Sequence, residues 1–170
     1  ERKLERTEDT QERAQLYARI GRLRAEKLED EIRAVEAYRE VLLLDSSNEE
    51  VVSELERYLE QPSLQAEAAR ILQPYYVRRQ DWNRLIRIYQ IRLDAAQDPE
   101  ERLAVTTRIA QLYEEQLEDL EGAFTWYSKV YLEKPSDVAI RDQILRLAGI
   151  LDRWEEVSDV LARHMDQTLE

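Results

Sequence analysis

The chain has 170 residues, enough to bury roughly 70% of the surface of its unfolded form without disulfide or metal staples. It carries 37 acidic against 25 basic residues, a formal charge of −12, which argues against duplex nucleic acid or an anionic membrane surface as partner. It holds no cysteine, which excludes disulfides, thiolate metal sites and a cysteine nucleophile, and only 3 glycines and 4 prolines, the composition of an all-helical protein.

Apolar residues recur at steps of three and four along almost the whole chain, the pattern of amphipathic helices. The periodicity predicts about nine helices, at 11–29, 31–44, 48–60, 64–79, 82–96, 100–118, 121–133, 137–150 and 153–168. Residues 1–8 read as the tail of a further helix, with Leu4 as its remnant, so a fragment of a longer array is expected. Asp45-Ser46-Ser47-Asn48, Gln61-Pro62-Ser63, Gln97-Asp98-Pro99 and Glu133-Lys134-Pro135-Ser136 mark turns, and Ser63 and Ser136 suit helix N-caps. Pro74 falls inside the fourth helix, where a missing N–H and a ring clash predict a kink or a break. No linker divides the chain, so a single domain is expected. No apolar run approaches the length needed to cross a bilayer.

Residues 12–47 recur at 101–136 with a constant offset of 89, and fourteen of these 36 positions are identical. Ala123, Tyr127, Val130 and Pro135 follow one another at steps of 4, 3 and 5; Ala34, Tyr38, Val41 and Ser46 repeat the series with serine in place of proline. Two looser units run through Leu72, Tyr76, Trp82, Leu85 and Tyr89, and through Ile144, Leu147, Trp154, Val157 and Leu161. A small residue lets two helix axes approach, and an aromatic one turn further along the same face fills the groove. In these residues the chain resembles the tetratricopeptide repeat family. The resemblance implies a two-layer, right-handed α-solenoid of antiparallel helix pairs, with units near 11–45, 64–97, 100–134 and 137–168. It leaves 48–60 as an extra helix. Trp82 and Trp154 occupy equivalent turns only 72 residues apart, so the first copy carries 17 additional residues.

Candidate chemistry is sparse. His164 is the single histidine, so neither a histidine metal cluster nor a Ser/His/Asp triad can form within this chain, and it reads as a packing residue. Glu114-Glu115 and Glu118-Asp119 read as a solvated helix face. No cofactor, metal site or catalytic group is expected. Phe124, Tyr127 and Tyr131 follow the core stripe of their helix, while Trp126 stands off it and either packs between repeats or anchors a ligand.

The strongest functional signal is charge. Residues 68–93 contain Arg70, Arg78, Arg79, Arg84, Arg87 and Arg92 against the single acid Asp81, between acidic flanks. Such arginines either neutralise those flanks in surface ion pairs or line a groove for an acidic segment, a task suited to the planar guanidinium. The resemblance implies that Arg70 and Arg78 face the groove. The expected function is therefore a scaffold that binds a peptide or protein segment, with Arg70, Arg78 and Trp126 as candidate contacts. A spacer section of a long array, or a regulatory module of an enzyme carried elsewhere in the chain, are the alternatives. Leu16, Ile20 and Leu23 at one end and Val157, Val160, Leu161 and Met165 at the other would support weak self-association through truncated ends. The compartment stays open, with the cytoplasm as the working expectation.

Overall fold

A computed structural model describes residues 9–167, with side chains described for 9–162. The described residues form nine helices and no strand: α1 (Thr10–Lys27), α2 (Glu31–Leu44), α3 (Glu49–Tyr58), α4 (Gln65–Arg79), α5 (Trp82–Ala95), α6 (Pro99–Glu115), α7 (Leu120–Glu133), α8 (Val138–Leu151) and α9 (Trp154–Gln167). The all-helical class and the helix count expected from periodicity are thus observed. The remnant at Leu4 lies outside the described residues, and His164 and Met165 lie outside the described side chains.

The helix starts are set mainly by short acids and amides. Asp9, Asn48, Asp98, Asp119 and Asp137 each sit at an N-cap and accept a hydrogen bond from a backbone N–H of the first turn. Ser136 is therefore not a cap. Asp137, one residue on, takes that place and accepts from the N–H groups of Ala139 and Ile140. Ser63 is not a cap either, since Leu64 occupies the position before α4 and supplies no side-chain acceptor. The predicted break at Pro74 does not occur, and α4 runs without interruption from Gln65 to Arg79. Its N-terminal half is anchored by Ala68, Ala69, Ile71 and Leu72, and Tyr75 and Tyr76 continue the buried face beyond the proline. This burial on both sides outweighs the single backbone bond that proline removes.

The chain divides into two compact units, Glu1–Asp81 and Trp82–Glu170. In the first, α1 and α2 form a hairpin, and α3 and α4 pack beside α2. In the second, α6 and α7 form the matching hairpin, α5 packs on α6, and α8 and α9 pack on α7. The two hairpin turns share one backbone solution. Glu29 and Glu118, 89 residues apart, both take left-handed φ values near 50°. The following Asp30 and Asp119 donate backbone N–H bonds to the carbonyls of Arg24 and Tyr113, and their carboxylates accept from Arg33 and Gly122.

The second helix of each hairpin is buried on two faces. Ala34, Val35, Ala37, Tyr38, Val41 and Leu42 are buried in α2, and the six positions 89 residues on, Ala123, Phe124, Trp126, Tyr127, Val130 and Tyr131, are buried in α7. A helix with neighbours on both sides needs a wide apolar arc instead of a single stripe.

The same correspondence continues into the next helix. Asn48 and Asp137 cap α3 and α8, and Leu55 and Ile144 are both wholly buried. At the other end, Gln80 after α4 and Asp152 after α8 are both left-handed C-caps, but at an offset of 72. The start of α8 thus corresponds to α3 and its end to α4. The 17 additional residues fall across the end of α3, the Gln61-Pro62-Ser63 turn and the first half of α4, and not in a whole inserted helix.

One glycine sets a close approach. A Cβ built on Gly21 of α1 would lie 2.5 Å from Cε1 and 2.8 Å from Cδ1 of the Tyr38 ring. Those atoms belong to the body of a fully buried ring, which cannot swing aside. Gly21→Ala is expected to lower stability by about 1–2 kcal/mol, despite a helix-propensity gain near 1 kcal/mol. Urea unfolding followed by circular dichroism measures it, and a stabilised variant would show that the ring can move.

Candidate peptide-binding site

Two of the three predicted contact residues lie together in the first unit. The C-terminal half of α2 and the middle of α4 enclose a cleft of about 350 Å³. Arg70 and Arg78 stand on its α4 side, and Arg39 of α2 stands opposite. Its apolar lining comes from Leu42, Leu43, Ile71, Pro74 and Tyr75. Leu43 is 72% exposed, an unusual state for a leucine beside buried Leu42.

Local sequence explains this arrangement. Arg39 and Leu43 are four residues apart in α2 and share one stripe; Arg70, Pro74 and Arg78 repeat that spacing in α4. Each stripe adjoins a buried one, so the arginines stand beside apolar neighbours while Arg70 and Arg78 stay exposed to solvent. The turn that closes the cleft is fixed by Asp45, which accepts from the Ser47 hydroxyl at 2.8 Å and the Ser47 N–H at 3.1 Å. These bonds hold the Asp45 carboxyl below its usual range.

The three guanidinium groups differ in their engagement. Arg70 makes a two-pronged contact with Glu67, at 2.9 Å from Nε and 2.5 Å from Nη2. This bond holds Glu67 below the ordinary carboxylate range and raises Arg70. Arg39 contacts Glu40 through Nη2 at 3.1 Å. Arg78 has no ion pair among the described residues. Surface pairs of this kind are worth about 0–1 kcal/mol and exchange readily for another carboxylate. Neighbouring Arg79 is committed elsewhere, to Glu49 at 3.1 Å and over the Tyr75 ring at 5.5 Å.

The arginine-rich segment therefore does not form one patch within either unit. Arg70, Arg78 and Arg79 belong to the first unit, whereas Arg84, Arg87 and Arg92 lie on α5 of the second, where Arg92 pairs with Glu101 of α6 at 3.2 Å. Both readings of the charge pattern thus have residues that fit them: Arg79 and Arg92 bridge to acidic helices, and Arg78 faces a cleft.

Trp126, the third candidate contact, is buried, as the packing alternative expects. It is 9% exposed, in the core of the second unit, with Lys129 Nζ 3.7 Å from its ring centroid. It lies off the 123–127–130 stripe but on the second buried face of α7, which one-stripe periodicity does not register. Val157, expected at an open end, is likewise buried at 3% exposure. Two cleft residues, Arg39 and Leu43, were not anticipated. The signal was present in Leu42-Leu43-Leu44, a run of three apolar residues of which a helix buries only part.

Among the described residues no group of three or more His, Cys, Asp or Glu side chains could hold a metal ion. No described helix is long and apolar enough to cross a membrane. A scan against protein-family models finds no match to the chain, and a search of curated proteins finds none.

Proposed function

We propose that this chain is a protein-interaction module. It is built as a right-handed, two-layer solenoid of antiparallel helix pairs akin to the tetratricopeptide repeats, and it performs no chemistry of its own. Its first unit holds an extended, acidic segment of a partner protein in the α2–α4 cleft. The observation that carries this reading is the convergence of Arg39, Arg70 and Arg78 on an apolar-lined cleft. Charge complementarity names the occupant. Leu43, Ile71 and Tyr75 take up aliphatic side chains, while the guanidinium groups take carboxylates in charge-assisted hydrogen bonds. The protein's overall charge of −12 repels acidic segments elsewhere, which favours this location over the rest of the surface.

The test is fluorescence anisotropy with a labelled ten-residue peptide of alternating glutamate and leucine. Arg70→Glu with Arg78→Glu is expected to weaken binding by a factor of about 10–100, the scale of one or two lost charge-assisted bonds. The helical circular dichroism should stay unchanged. Binding that survives in the variant at physiological salt would reduce the arginines to a solvated face.

A further inference from the structure

The repeat supplies an internal template for α1 and α9. In the second unit α5 and α6 pack against each other. A short turn joins them, and Arg92 near the end of α5 pairs with Glu101 at the start of α6 at 3.2 Å, so the two run antiparallel. At the offset of 89, α1 is the counterpart of α6; at the offset of 72 that relates Trp82 to Trp154, α9 is the counterpart of α5.

Both counterparts are less covered than their templates. Val105, Ile109 and Leu112 form a buried stripe on α6. The matching Leu16 and Ile20 of α1 are only part-buried, and Leu23 is exposed. These positions, at steps of four and three, lie on one face of the helix. On α9, Val157 is buried, and the helix packs on α7 and α8. Val160 and Leu161 are part-buried where their counterparts Ile88 and Tyr89 are buried, and Trp154 is 54% exposed.

Charge names what covers these faces. Arg84 and Arg87 of α5 become Glu156 and Asp159 in α9, and Gln111 and Tyr113 of α6 become Arg22 and Arg24 in α1. The described side chains of α9 include Glu155, Glu156 and Asp159 and no basic residue, whereas α1 carries five basic residues against two acidic ones. The template is a basic helix on an acidic one; α9 and α1 form the same match with the signs exchanged. An acidic α9 is therefore attracted to α1 and repelled by the four glutamates of α6. Arg22 and Glu156 hold exposed partners, Glu50 and Arg153, in pairs that are worth little.

We propose that α9 of one copy packs along α1 of a second copy of this chain, antiparallel, as α5 packs on α6. Trp154 then lies toward Leu23, and Val160 and Leu161 lie against Ile20 and Leu16. The contact joins two different surfaces, so a pair leaves one of each uncovered and association continues head to tail. It uses none of Arg39, Arg70 and Arg78, so it does not depend on the function proposed above.

The experiment is sedimentation velocity of the whole chain over a concentration series from micromolar to millimolar. The average mass is expected to rise continuously with concentration. Leu23→Glu sets an acid against α9, and Val160→Lys sets a base against α1; each should weaken association about tenfold or more while helical circular dichroism is kept. Should Val160→Lys lose helix, Glu155→Lys with Asp159→Lys, at exposed positions, takes its place. An equal mixture of the α1 variant and the α9 variant retains one intact face of each kind and should form a pair and nothing larger. Arg70→Glu with Arg78→Glu should leave association unchanged. A parent that stays monomeric throughout overturns the proposal. So does a mixture no more associated than either variant alone, and so does loss of association in the Arg70, Arg78 variant, which would put the acidic helix in the α2–α4 cleft.

Discussion

Tyr127→Ala is expected to destabilise the second unit by about 3–5 kcal/mol, the cost of truncating a large aromatic in a packed core. Tyr127 is 5% exposed and sits four residues after wholly buried Ala123, in the helix that packs against α6. The substitution also removes the hydroxyl beside Glu114, leaving that carboxylate to Arg146 alone. The measurement can be confined to one unit, because all three tryptophans, Trp82, Trp126 and Trp154, lie in Trp82–Glu170. Urea unfolding followed by tryptophan fluorescence should show a much earlier transition in the variant. Tyr38→Ala, the equivalent change in the first unit, should produce a loss of similar size in circular dichroism. If the tryptophan transition of Tyr127→Ala matched that of the parent, the tyrosine would not be the keystone of its hairpin.

Stability is expected to fall steeply above pH 10. Burial, reinforced by the Glu54 carboxylate, pushes the Tyr38 hydroxyl up to about 12. Burial and Glu114 raise Tyr127 further, and burial with Glu31 raises Tyr58. In the unfolded chain these groups titrate near 10. Between pH 10 and 12 the unfolded chain releases protons that the folded protein keeps, so alkali draws the equilibrium toward unfolding. The stabilising contribution is complete below pH 10 and is lost as pH rises through the folded values. Each such tyrosine draws on stability only within its own window, which for Tyr38 runs from pH 10 to about 12. Melting temperatures measured from pH 8 to 12 should decline late and steeply. The Tyr38→Phe, Tyr127→Phe double variant should decline less. Equal slopes in both proteins would assign the alkaline transition to other groups.

The helices and their ends were largely legible in the sequence. Periodicity placed all nine, because amphipathic spacing is a local property of each segment. Cap positions were read less well. Aspartate or asparagine competes successfully for the N–H groups of the first turn, and at Ser136 the neighbouring Asp137 holds two of them. Of the two outcomes expected at Pro74, a break does not occur: local rules count the hydrogen bond it removes, while burial of Ile71, Leu72, Tyr75 and Tyr76 on either side holds the helix together. Arg70 and Arg78 were identified as a pair by their charge, but their partner Arg39 lies 31 residues before Arg70, and only packing of α2 against α4 brings it near.

Identical residues show where local information ends. Leu23 and Leu112 occupy the same position of the repeat, yet Leu23 is 48% exposed and Leu112 only 1%. α6 packs against both α5 and α7, whereas the main packing partner of α1 among the described residues is α2. Tyr38 and Tyr127 are likewise one residue type at one position, but Glu114 stands beside the second hydroxyl and Ala25 leaves the first unpaired. The sequence by itself determined the helical class, the repeat and the residues able to form a core, since these follow from composition and spacing along one segment. Tertiary structure decided which arginines line one cleft, that Trp126 is buried and that the Tyr38 hydroxyl is buried without a hydrogen-bond partner. Those outcomes depend on helices distant in sequence, and burial is a property of neighbours in space.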